Sequence, residues 1–156
     1  MNNPSPVAIV TGASRGAGRG IAIALGSHGC TVYVTGRSQH SSDHVLPGTI
    51  HETAEAVTAA GGKGIAVRCD HADDQQVKAL FDTVRREQGR LDILVNNAAA
   101  VHDELSHPGN FWEKPLKLVD MIDVGLRSGY VASWLAAPIM AEQNHGLIVS
   151  TSVRLR

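Results

Sequence analysis

The sequence predicts an α/β fold: a doubly wound parallel sheet of about five strands, with helices on both faces. Three observations predict it. Short, continuous apolar runs recur along the chain, as in strands buried on both faces. Segments of helical periodicity alternate with those runs, which is the pattern of βαβ units. A glycine-rich turn, Gly12 to Gly20, follows the first run and leads into the first helical segment. Right-handed crossovers then place helices on both sides of the sheet.

Val7-Ala8-Ile9-Val10-Thr11 is the first predicted strand, and Ile21 to Leu25 reads as helix, stopped near Gly26 and Gly29. The β-branched run Thr31–Thr35 is a second strand, and the polar stretch from Ser38 to Gly48 is a loop. Thr49, with Glu52 three residues on, fits a capping box, opening a helix through Ala54, Val57 and Ala60. Gly64–Cys69 is a third strand. Asp73 then caps an amphipathic helix with Val77, Leu80, Phe81 and Val84 on one face. Leu91–Val95 is a fourth strand, followed by a polar region from Ala98 to Pro115 that is too long for a simple connection. A long helical stretch is expected from about Leu116 to Glu142, with Pro138 kinking it or ending its regular hydrogen bonding. Leu147–Thr151 is the fifth strand.

The chain has 156 residues, enough for one domain, 1–156, that buries roughly 70% of its unfolded surface without metal or disulfide. Lys and Arg number 14 against 15 Asp and Glu, a net charge of −1. Nucleic acid and anionic membrane surfaces select a basic excess, so neither is an expected partner. No apolar run is long enough to span a bilayer, and the first residues lack the charged and apolar regions of a signal peptide. Two cysteines form no disulfide framework, so a cytoplasmic, reducing setting is expected. Eight histidines are present. The pairs His40/His44 and His102/His107 lie in polar loops and read as solvated side chains; no metal site is expected.

The chemistry concentrates in Thr11-Gly12-Ala13-Ser14-Arg15-Gly16-Ala17-Gly18-Arg19-Gly20. Glycines there permit a tight turn and close approach of a diphosphate, which the free N–H groups and positive end of the next helix hold. No Gly-Lys-Ser/Thr closes the turn, so it is not a P-loop, and Ile21 stands where GxGxxG would place its last glycine. A plain glycine-rich βα turn is the alternative. Near the end of the second strand, where NAD-preferring sites carry an acid for the ribose 2′-OH, the chain has Thr35-Gly36-Arg37-Ser38. Arg15 and Arg37 are therefore candidates to clamp a 2′-phosphate, making NADP(H) the expected cofactor rather than NAD; Arg37 as a solvated loop residue is the alternative.

Thr11-Gly-x-x-x-Gly-x-Gly, Asp70 after the third strand and Asn96-Asn97-Ala98-Ala99 after the fourth together resemble the short-chain dehydrogenase/reductase family, across nearly the whole chain. Gly36-Arg37, Phe111-Trp112-Glu113-x-Pro115 and Asp123–Arg127 resemble one mammalian subgroup of it. The resemblance implies a Rossmann-like sheet of order 3-2-1-4-5 and a nicotinamide dinucleotide bound through Gly12, Ser14, Arg15, Gly16, Gly18, Arg37, Asp70 and Asn96, with Asp70 at the adenine ring. It implies hydride transfer between nicotinamide and a carbonyl or alcohol in full-length relatives. In that order Cys30 and Cys69 lie at opposite ends of neighbouring strands, about 16 Å apart and beyond disulfide reach.

The departures are as informative. The family's reaction uses a Tyr with a Lys four residues later, a Ser and an Asn. Here Tyr33 is followed at that distance by Arg37 and Tyr130 by Trp134, and Lys63, Lys78, Lys114 and Lys117 all precede Tyr130. The Asn position falls on Gly125. Ser152 matches the catalytic Ser if the alignment slips by one residue, and otherwise is a strand-end serine. The chain is thus expected to be C-terminally truncated and inactive: either an oxidoreductase-family protein that binds NADP(H) without turnover, or a non-catalytic nucleotide-binding or interaction module. Trp112 reads equally as a substrate-side residue or a packed loop anchor. The long helix and an unpaired fifth strand are the expected routes to a homo-oligomer.

Overall fold

The computed structural model describes residues 5–152. Five strands form one parallel sheet in the order β3-β2-β1-β4-β5, the expected topology. They are β1 (Val7–Val10), β2 (Thr31–Gly36), β3 (Lys63–Arg68), β4 (Ile93–Asn96) and β5 (Leu147–Ser150). Helices α1 (Gly16–Ser27), α2 (Ile50–Ala59), α3 (Asp74–Gln88) and α4 (Ser128–Glu142) make the crossovers.

Period-two alternation sends neighbouring strand residues into two cores. Val7, Ile9 and Tyr33 face α3 and α4, packing with Val77, Leu80, Phe81, Ala132, Ala136 and Met140. Ala8, Val10, Val32 and Val34 face the other way, toward α1 and α2, with Ala22, Ile50, Ala54 and Val57. Both faces are covered, which explains why β1 and β2 read as unbroken apolar runs. The pairing β1–β2 runs from Val7 opposite Thr31 to Val10 opposite Val34, and β2 continues past the end of β1 to Gly36. β5 differs: Leu147 is 55% exposed, while no residue of β1 exceeds 2%.

The caps follow the sequence. Thr49 Oγ1 accepts the Glu52 N–H and the Glu52 carboxylate accepts the Thr49 N–H, a complete capping box on α2. Asp73 takes the N–H groups of Gln75 and Gln76 at the start of α3. Gly89 ends α3 at φ 67°. Cys30 and Cys69 are buried free thiols, just before β2 and just after β3.

The structure corrects several boundaries. α1 starts at Gly16, not Ile21, because the second half of the glycine-rich segment is already helical. β4 starts at Ile93, two residues after the expected Leu91. The stretch from Leu116 to Glu142 is not one helix. A 3-10 turn (Leu116–Val119) and a wide turn (Ile122–Arg127) precede α4, and Val124 and Gly125 leave helical geometry. The Val124 carbonyl accepts the Ala100 N–H, and the Gly125 N–H goes to Ser128 Oγ; both groups turn away from a continuing helix. α4 runs through Pro138 to Glu142, so the proline does not end it. Trp112 is no packed anchor: it is 70% exposed and stacks edge-on against Phe111.

Candidate functional site

All eight residues expected to bind the dinucleotide lie at or beyond the carboxyl ends of β1 to β4, the edge where open α/β sheets bind ligands. The glycine-rich turn leaves β1 through Gly12, at φ 63°, a left-handed conformation that only glycine takes at little cost. Gly18 is needed for a different reason. A Cβ there would fall on the Asn97 amide and within 2.5 Å of the Gly12 carbonyl, so α1 could not seat against the turn. Space above Gly16 is open. Ser14 is buried under the turn.

The start of α1 is where a phosphate would go. Its N-cap is Arg15, whose side chain makes no capping bond, and the first turn carries no acid. The leading N–H groups of α1 therefore have no side-chain acceptor, unlike those of α2 and α3.

Arg15 reaches sideways instead. Its Nε donates to the Pro47 carbonyl at 3.2 Å, and its Nη2 donates to Ser38 Oγ and the Gly48 carbonyl, each at 2.9 Å. This tether folds the 38–48 loop against the turn and occupies three of the guanidinium's five hydrogens, leaving those of Nη1 free. Arg37 is exposed, with no hydrogen-bond or ion-pair partner among the described residues. The sheet edge between these two cations holds no acid on β2.

Asp70 sits in the β3–α3 connection. Its carboxylate accepts the Ala72 N–H, and its own N–H donates to Gln76. Asn96, 8% exposed at the end of β4, donates through Nδ2 to Ser133 Oγ on α4. Its Oδ1 is buried without a partner. Ser152 lies two residues past β5 and is exposed.

Thr11 and Asn97, quoted in the sequence motifs without a role, hold this edge together. Thr11 Oγ1 accepts the N–H groups of Asn97 and Ala98. The Asn97 side-chain amide donates back to the Thr11 and Gly12 carbonyls at 3.0 and 3.1 Å, and its Oδ1 accepts from the Thr151 hydroxyl. Asn97 thus pins the turn to β4. The signal was available: two adjacent amides at a strand end, where each would face opposite sides. His71, 4% exposed, was also missed. Burial drives its pKa down to about 4, with Asp70 opposing the shift and Arg37 adding to it.

An open cleft of about 520 Å³ lies between the start of α3 and the Asp123–Arg127 turn. Asp73, Asp74 and Asp123 give it the wrong sign for phosphate, and Arg127 is spent on a bidentate pair with Asp74. Among the described residues no cluster of histidine, cysteine or acids has the makings of a metal site. No described helix is long and apolar enough to cross a membrane.

A dinucleotide fits what is present: an uncapped helix start beside a close-packed glycine turn, cations at the end of β2, and a buried acceptor on Asn96. Comparison with known proteins agrees. The chain is 45% identical over 150 residues to mouse dehydrogenase/reductase SDR family member 1, covering 94% of this chain and 45% of that protein. It is 34% identical over 144 residues to bovine hydroxysteroid dehydrogenase-like protein 2, covering 92% of this chain and 33% of the relative. It therefore spans less than half the length of these relatives. A putative dehydrogenase from Xanthomonas campestris superposes with TM-score 0.84 at 32% identity, over 97% of this chain and 55% of that one. A metagenomic short-chain oxidoreductase solved with NADP superposes with TM-score 0.80 at 30% identity, over 96% and 63%. The profile of the short chain dehydrogenase family matches residues 6–155, and the chain belongs to that family.

Proposed function

We propose that residues 1–156 form a single dinucleotide-binding domain that holds NADP(H) and does not itself turn it over. The observation that carries the reading is the start of α1, a twelve-residue helix at the end of the central strand whose leading N–H groups no side chain caps. They hold the diphosphate, with Gly12, Ser14, Gly16 and Gly18 shaping the approach. Nη1 of Arg15 and the free guanidinium of Arg37 hold the 2′-phosphate, as the NADP of the metagenomic relative suggests by analogy. Asp70 meets the adenine, and Asn96 braces the inner ribose side through its open Oδ1. Bound nicotinamide would supply or accept a hydride.

What these residues lack is a proton donor beside it. Tyr33 is fully buried in β2, donating to Glu87 and accepting from Gln88, and its pKa is raised to about 12 by burial and by the Glu87 hydrogen bond. Tyr130 is 72% exposed on α4. Neither has a lysine four residues on. Ser152 matches the family's catalytic serine only with a one-residue slip of the alignment, and loss of a positioned acid costs about 10² to 10⁴ in rate. This favours the second reading of the same site, a nucleotide-binding or interaction module. Copies would pair through Tyr130 and Trp134 on α4 or through the exposed β5 edge, and the two free thiols suit the cytoplasm.

Calorimetric titration tests the cradle. NADP⁺ is expected to bind more tightly than NAD⁺, with Arg15→Ala or Arg37→Ala each removing about tenfold of NADP⁺ affinity and little of NAD⁺ affinity. Folded protein that takes neither nucleotide refutes the cradle. Incubation with NADPH and a panel of ketones and aldehydes is expected to leave the nicotinamide absorbance unchanged; steady oxidation by clean protein refutes the inactive reading.

A further inference from the structure

A buried polar chain joins the two arms of the carboxyl edge. His71 follows Asp70 beyond β3, and its Nε2 lies 2.9 Å from Thr35 Oγ1 in β2. Thr35, 0% exposed, also has its hydroxyl 3.2 Å from the Val10 carbonyl in β1. A hydroxyl has one hydrogen. The arrangement that satisfies both contacts sends it to Val10 and makes Oγ1 the acceptor from the ring, so the proton is on Nε2. Nδ1 is then a bare lone pair, and it has no partner. Thr35's own carbonyl accepts the N–H of Ala13, at 2.9 Å, inside the glycine-rich turn. The charged groups facing the ring are Asp70 on its own loop and Arg37 at the end of β2.

We propose that His71 is a positioning residue for nucleotide binding: by donating Nε2–H to Thr35 it fixes the β2 carbonyl on which Ala13, and with it the diphosphate turn, hangs. The brace links the adenine arm to the diphosphate arm through Thr35 of β2. It rests on the nucleotide reading of that turn. The low basicity of the ring keeps it in the neutral, singly protonated form the brace requires.

The test uses the full chain at neutral pH. Nitrogen NMR of the imidazole is expected to show the Nε2–H form; the Nδ1–H form overturns the brace. His71→Leu is expected to speed hydrogen exchange at the Ala13 amide and weaken NADP⁺ binding, each about fivefold, the worth of one hydrogen bond. His71→Gln, whose amide nitrogen reaches about as far as Nε2, is expected to restore both to within about twofold. Thr35→Val removes the hydroxyl at constant shape, is expected to repeat both effects, and decides the matter if His71→Leu does not fold. Wild-type Ala13 exchange in Thr35→Val, or His71→Gln as impaired as His71→Leu, overturns the proposal. If the unmodified chain takes up no NADP⁺, the Ala13 exchange still decides the brace, and that failure belongs to the nucleotide reading.

Discussion

The two ends of the sheet are built on opposite terms. At the amino end polar groups are consumed within the chain. The Asp92 carboxylate, 2% exposed, takes the Val7 N–H at 2.7 Å and a two-pronged bond from Arg90. Gln143, just past α4, exchanges bonds with the Leu91 N–H and carbonyl. At the carboxyl end groups are left over. Three buried side-chain atoms lack a hydrogen-bond partner among the described residues, His71 Nδ1, Asn96 Oδ1 and His102 Nε2: Asn96 is the last residue of β4, and the two histidines lie in segments that follow β3 and β4 on that side. The last lies 3.3 Å from the Asp120 carboxylate, near enough for an ion pair but without hydrogen-bond alignment. α1 starts there uncapped as well. Unpaired buried polar atoms cost stability, so their gathering at one end separates what holds the sheet from what it holds.

Three substitutions sharpen or break this contrast. The largest effect is expected from Gly18→Val, whose side chain would overlap the Gly12 carbonyl and the Asn97 amide. Loss of about 3 kcal/mol or more and of all NADP⁺ binding is expected in thermal melts and titrations; a variant that melts and binds normally would show that the turn is not close-packed. Next, Asp92→Asn should cost about 2 kcal/mol by breaking charge-assisted bonds while leaving NADP⁺ affinity unchanged. Burial raises the Asp92 pKa, but the Arg90 and Val7 hydrogen bonds outweigh it and the net shift is downward. Its contribution is thus complete above about pH 4, the unfolded value, and fades as pH falls through the lowered one. Denaturation at a series of acid pH values should show that loss in the native chain and a flatter profile in the variant. The smallest effect is expected at a helix start that is already served: Thr49→Ala should remove about 1 kcal/mol by urea titration and leave binding unchanged. Weakened binding there would mean that α2, too, takes part in the site.

What the sequence revealed was whatever one residue's local chemistry decides. Continuous apolar runs placed the strands, Thr49 with Glu52 and Asp73 placed two helix starts, and the glycine spacing placed the turn. What stayed hidden depends on partners distant in the chain. The break before α4 arises because Ala100 claims the Val124 carbonyl, a contact that periodicity in residues 116–142 cannot register. The tether of Arg15 stayed hidden because nothing local announces Ser38, Pro47 and Gly48 as its acceptors. Asn97 and Thr11 are 86 residues apart, and only the adjacency of β1 and β4 makes them a clasp.

Cys30 and Cys69 turn the contrast between the ends into something that can be timed. Each thiol is buried and unpaired, one before the first residue of β2 and the other after the last of β3. A thiol-specific reagent can reach either only when its own end of the sheet opens. Separate labelling rates would therefore read local opening at the two ends independently, and saturating nucleotide should slow Cys69 before it slows Cys30.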